Sequence, residues 1–137
     1  MTLTQTSRLH IVAAIIFNQQ QDQIFITKRP AKLHKGGYWE FPGGKVESGE
    51  TAGKGLIREL YEEIDIEVTA LSLFEHLDHD YPEKKLTFDF FSVTAFSGKP
   101  YGKEGQEGKW VKIEDLVDYQ FPEANQPIVE KLLATLG

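Results

Sequence analysis

One helix stands inside a run of strands. Residues 51–64, TAGKGLIRELYEEI, repeat apolar side chains at helical spacing. Leu56, Leu60, Ile64, Gly53 and Ile57 fall on one stripe that must bury against something flat. Thr51 is a suitable N-cap. Before it, residues 8–17 (RLHIVAAIIF) and 24–29 (IFITKR) read as strands, joined through a polar turn at 18–23 into a hairpin. After it come two more strand-like runs, ALSLFEHLDHDY and KKLTFDFFSVTAF, parted by Pro82 and Glu83. A short strand at 109–113, a helical turn at 114–119 and a closing amphipathic helix, IVEKLLATL, complete the chain. Strands and helices are mixed through one stretch of 137 residues, too short for a second core. The expectation is one α+β domain over residues 1–137, a mixed sheet covered by helices.

Composition removes several classes of function. With no cysteine, neither a disulfide framework nor a thiolate metal site is possible. The longest apolar run, IVAAIIF, is too short to cross a bilayer, and no secretory leader is visible, so the expectation is a cytoplasmic protein without a membrane partner. The net charge of −6 argues against stable binding to nucleic acid through its phosphates. An acidic chain still binds a polyphosphate when divalent cations stand between the two.

The acids of the helix point that way. At about 100° per residue, Glu59, Glu62 and Glu63 share one arc, bordering the buried stripe, with Arg58 beside Glu62. Glu59 and Glu63 repel at i,i+4, and they sit toward the helix end where the dipole disfavours negative charge. Alone, RELYEE reads as a solvated helix face, and only the residues around it favour a site. A divalent cation relieves both problems, and clustered carboxylates suit Mg²⁺ or Mn²⁺. His76 and His79, at odd separation in a strand, point to opposite faces and do not make a metal pair.

From Gly44 the chain reads glycine, five residues, Glu50, seven residues, Arg58-Glu59-Leu60, one residue, Glu62-Glu63, one residue, Asp65-Ile66. This pattern resembles the signature of the Nudix hydrolases. Asp65 stands where the signature has glycine, and aspartate tolerates the left-handed conformation better than most residues. Further segments, IFITKR, EFPGGKVESGET, SLFEHLDHDYP, YGKEGQEGKW and FPEANQPIVEKL, resemble the MutT branch of that family in order and spacing.

The resemblance implies an α/β/α sandwich and metal-dependent hydrolysis of 8-oxo-dGTP to 8-oxo-dGMP and pyrophosphate. Such chemistry cleanses the nucleotide pool and prevents mutation. It implies Glu59, Glu62, Glu63, Glu104 and the carbonyl of Gly43 as metal ligands. Glu59, Glu104 and Arg58 make up the catalytic set, with Glu59 and Glu104 both open as the base. Arg29, His34, Glu40, Phe41, Pro42, Gly43 and Asn125 become nucleotide contacts. Glu83-Lys84 replaces an Asp-Arg pair of the branch. Asn125, between two prolines, offers both an amide oxygen and nitrogen to a base. The substrate is expected to be a nucleoside triphosphate and the protein a monomer. Other members of the family take ordinary dNTPs, ADP-ribose or dinucleotides, and a module that only binds nucleotide is the non-catalytic alternative.

Overall fold

The computed structural model describes residues 8–31 and 36–136. His34 lies outside the described residues. The elements run β1 (Leu9–Phe17), β2 (Gln23–Lys28), β3 (Trp39–Glu40), β4 (Gly43–Lys45), α1 (Ala52–Ile64), β5 (Glu67–Tyr81), β6 (Lys84–Ser97), β7 (Gly108–Lys112) and α2 (Gln126–Leu136). Two 3-10 turns, Ile113–Asp118 and Glu123–Asn125, precede α2.

β1 organises the sheet. It runs parallel to β6 from the Leu9–Leu86 pair to the Ile16–Val93 pair. On its other edge it pairs first with β4 and then with β2, both antiparallel. At the handover the Ala14 N–H donates to the Pro42 carbonyl at 2.8 Å. β5 and β6 form a long antiparallel hairpin turning at Pro82 and Glu83. β7 pairs with β2. The short strands β3 and β4 were not among the expected elements. They form because the free edges of β1 and β2 supply backbone partners that no local sequence signal reveals.

Alternation along β1 divides the interior. Val12, Ala14 and Ile16 face α1, where Leu56, Leu60 and Ile64 are fully buried. Ala13, Ile15 and Phe17 face the opposite layer, which holds Ile128, Val129 and Leu132 of α2. The sheet is therefore covered on both faces, as the sandwich expectation required. Each buried Leu or Ile stabilises by about 1.5–3 kcal/mol. Three of them outweigh the few tenths of a kcal/mol by which Glu59 and Glu63 repel.

Ile57 departs from the expected stripe. It is 39% exposed, beside Tyr61 at 51%, at the margin of the buried helix face. Thr51 caps α1, its hydroxyl accepting from the Lys54 N–H at 3.2 Å. Asp65 ends the helix at φ 61°, ψ 42°, the left-handed conformation expected of the residue replacing glycine.

Candidate active site

Four parts of the chain build the acidic site. α1 supplies Glu59, Glu62 and Glu63. β3 and β4 supply Glu40, Gly43 and Gly44. The loop from Gly98 to Glu107 supplies Glu104. Glu63, Glu40 and Glu104 line a cavity of about 790 Å³ together with Arg29, Phe41, Gly43, Lys84 and Asn125. Its apolar walls come from Leu9, Ile11, Ala13, Tyr81, Leu86 and Phe88.

The electrostatics single out Glu63. Burial, and then the nearby charges of Glu40, Glu59 and Glu104, push its carboxyl up to about 8. A hydrogen bond from the Gly43 backbone opposes the rise without cancelling it. Glu59 is also raised, first by burial, with Glu62 and Glu104 adding to it. Glu40 is raised by burial although Arg29 bonds it at 2.6 Å. Arg29 and Arg58 compensate these acids only in part, since Glu40, Glu59 and Glu63 all stay raised, and hard oxygens in such a set fit a divalent cation. In the present rotamers, the described residues do not bring three His, Asp or Glu side chains into metal-binding geometry. Arg58 instead holds the carboxylates of Glu59 and Glu62, at 3.1 and 3.3 Å.

Arg58 is only 24% exposed and is the hub of this network, not a loose surface pair. It grips Glu50 with two hydrogen bonds of 2.8 and 2.9 Å and also donates to the Lys45 carbonyl at 3.1 Å. The Arg58 guanidinium, aided by the Glu47 backbone N–H, holds the Glu50 carboxyl down at about 2. Glu50 therefore anchors the arginine that orients Glu59. It belongs to the signature, yet its role was missed. Its spacing from Arg58 gave the only signal, and a pair eight residues apart across a helix start has no regular period.

Gly43 and Gly44 are required by close approach. A Cβ on Gly43 would overlap the Val12 carbonyl of β1, and one on Gly44 would overlap the carboxyl group of Glu59. Glycine at 44 thus lets Glu59 lie against the backbone of β4.

The expected nucleotide contacts divide. Arg29, Glu40, Phe41, Gly43 and Asn125 line the cavity, with Arg29 and Glu40 paired to each other. Pro42 is buried and does not line it; its carbonyl is engaged by Ala14. Phe41 is a core residue that also lines the cavity, stacked on Phe121 at 5.1 Å and edge-on to Phe90. Asn125 is 7% exposed, and its backbone N–H bonds the Pro122 carbonyl at 2.9 Å. Glu62, 56% exposed at its side chain, stands outside the cavity lining. Glu59 also stands outside it, behind Gly44. The apolar residues at the start of β1 and β6 were read only as strand interior, and their part in the cavity was not foreseen.

His76 and His79 do face opposite ways. His76 bonds Asp89 at 2.5 Å, while His79 packs edge-on against Tyr81.

Known proteins resemble this chain in sequence and fold. The NUDIX domain family profile matches residues 12–131. The chain is 43% identical over 125 residues to the 8-oxo-dGTP diphosphatase of Escherichia coli strain K12, covering 91% of this chain and 96% of that protein. It is 32% identical over 126 residues to the CTP pyrophosphohydrolase of the same organism, covering 92% of each. A solved structure from work on MutT of Aliivibrio salmonicida and Vibrio cholerae superimposes with a TM-score of 0.85 at 57% identity, covering 95% of this chain and all of that one.

Proposed function

This chain belongs to the NUDIX domain family, and on that premise we propose that it hydrolyses 8-oxo-dGTP to 8-oxo-dGMP and pyrophosphate with the help of a divalent cation. One observation carries the reading. Glu63, pushed up to about 8, stands with Glu40 and Glu104 on a cavity of about 790 Å³ that has apolar walls from β1 and β6. Such a site accepts a flat base on its apolar walls and a polyphosphate only if positive charge intervenes.

Mg²⁺, with Mn²⁺ as substitute, would be held by Glu59, Glu62, Glu63, Glu104 and the Gly43 carbonyl. Bound there, it supplies charge neutralisation and a more acidic water. The remaining work falls to the chain. A carboxylate, Glu59 or Glu104, takes a proton from the attacking water. The water oxygen bonds to the β-phosphorus, the bond from that phosphorus to the bridging oxygen breaks, and 8-oxo-dGMP departs with the bridging oxygen. Arg58 acts on Glu59 and Glu62 by orientation, locked in turn by Glu50. Lys28, Arg29 and Lys84, which line the cavity, supply cationic character to an acidic protein.

Base choice follows from hydrogen-bond polarity. Guanine presents N7 as an acceptor, whereas the 8-oxo base carries N–H there. An oxygen acceptor such as that of Asn125 favours the damaged base and is left unpaired against the normal one. The reading carries with it a cytoplasmic, monomeric enzyme acting on free nucleotides.

A panel of 8-oxo-dGTP, dGTP, 8-oxo-GTP and CTP, followed by pyrophosphate release, tests this. At least tenfold preference for 8-oxo-dGTP over dGTP, about 1.4 kcal/mol, is expected, with loss of turnover on chelation. The likeness to a CTP pyrophosphohydrolase makes a pyrimidine triphosphatase the second reading, and a preference for CTP would select it.

A further inference from the structure

We propose that Gln106 is a positioning residue that sets Glu104 against the C-terminal turn of α1. The proposal rests on the reading above for its kinetic consequences, but its structural content stands separately.

The loop after β6 must bring Glu104, at an exposed tip, back to the acids of the helix. Its base is tied by backbone bonds: the Tyr101 N–H donates to the Ile64 carbonyl at 3.3 Å and the Lys103 N–H to the Glu63 carbonyl at 3.0 Å. These carbonyls are among those a helix end leaves without intrahelical partners. Lys103 adds an ion pair with Asp65 at 3.5 Å and lies over the Tyr61 ring. Those contacts secure the near side of the loop and stop short of Glu104 itself.

Gln106 reaches further. Its side-chain Nε2 donates to the Glu63 carbonyl at 3.2 Å, and its Oε1 accepts from the Glu104 backbone N–H at 3.0 Å. One amide side chain therefore bridges the residue carrying the loop acid and the residue carrying the buried helix acid. The loop is folded tightly around it. A Cβ on Gly102 would overlap the Gln106 carbonyl, and Gly105, at φ +90°, closes a turn by donating to Gly102. An amide suits this place because it gives a donor and an acceptor at once. A glutamate would keep only the acceptor and add charge to a site already too acidic.

The test pairs Gln106→Ala and the near-isosteric Gln106→Met with Glu104→Gln in a double-mutant cycle. In the otherwise native enzyme, either Gln106 variant is expected to lower kcat on 8-oxo-dGTP at least tenfold, with KM within about threefold. In the Glu104→Gln background the same changes are expected to alter kcat less than twofold. An equal loss in both backgrounds would show that Gln106 acts without Glu104 and would overturn the proposal. A second measurement needs no substrate. Hydrogen exchange at the Glu104 amide should accelerate at least tenfold in both variants, while amides of β1 and β6 keep native protection. Unchanged exchange at Glu104 would refute the bridge whatever the enzyme cleaves. Failure of the unmutated protein to cleave 8-oxo-dGTP would instead remove the functional reading and leave the exchange result to decide the role of Gln106.

Discussion

β1 touches two clusters of charge, and they are built in opposite ways. Beside Ala13, across the β4 pairing, lies the acidic group of Glu40, Glu59, Glu63 and Glu104. At the start of the strand lies a second cluster, in which Arg8 bonds Asp80 at 2.7 Å and His10 and His76 each take one oxygen of Asp89. Thr87 links the Arg8 side chain to Asp78 in the same group. In the second cluster, burial raises the Asp89 carboxyl, but bonds from His76 and His10 outweigh it, and the net shift is downward. In the first, burial raises Glu63 and its acidic neighbours raise it further. The fold thus satisfies one set of acids, and leaves the other, met only in part by Arg29 and Arg58, open to a cation. Unmet charge, more than the number of acids, marks the site.

The sharpest break of this contrast is Glu59→Gln. It should lower kcat at least a hundredfold, about 2.7 kcal/mol, with the thermal midpoint unchanged or raised, since one repelling charge is gone. Steady-state kinetics and a melting curve read both halves. Normal turnover would remove Glu59 from the mechanism.

The adjacent glycines separate fold from site. Gly43→Ala should cost about 1–3 kcal/mol of stability, because its Cβ meets backbone that cannot move aside. Gly44→Ala should keep its melting temperature while kcat falls at least tenfold, because its Cβ meets only the movable end of Glu59. Denaturant curves and kinetics on the two variants distinguish the effects. In the satisfied cluster, Asp89→Asn should cost about 1–3 kcal/mol of stability and leave divalent-cation affinity unchanged.

The buried acids of the two clusters, Glu63 and Asp89, should also answer pH with opposite signs. Glu63 is raised from 4.5 to about 8, so the cation-free native state holds a proton that the unfolded chain has lost. Stability contributed there falls as pH rises between those values, by at most about 1.4 kcal/mol per unit, and Mg²⁺ at pH 8 should restore it. Asp89 is lowered below 3.8, so its contribution is present above that value and lost as pH falls through the depressed one. His76 is raised above 6.5 chiefly by its bond to Asp89, so its contribution is complete below 6.5 and fades as pH rises through the higher value. Mg²⁺ should not move either of these. Melting curves from pH 2 to 9, with and without Mg²⁺, resolve the three.

The smallest effect is expected at Asp65→Gly. Glycine relieves the left-handed backbone but gives up the Lys103 ion pair and adds freedom to the unfolded chain, so the net change should stay within about 0.5 kcal/mol. A chemical denaturation midpoint measures it.

What the sequence by itself determined was local in origin. The extent of α1, its Thr51 cap, the left-handed Asp65 and the shared arc of Glu59, Glu62 and Glu63 follow from interactions a few residues apart. The alternation of β1 likewise follows from its own pleat. Ile57 escaped that reasoning because a helical stripe has an edge, and only the sheet decides how far the edge is covered. Tertiary structure alone decided which acids meet. Glu40 and Glu104 join Glu63 because β2 aligns Glu40 with Thr27 and the loop after β6 docks on the end of α1. Asp89 finds His10 seventy-nine positions away because β1 and β6 run parallel in one register. Electrostatic satisfaction depends on distances between elements, and no periodicity along the chain encodes those distances.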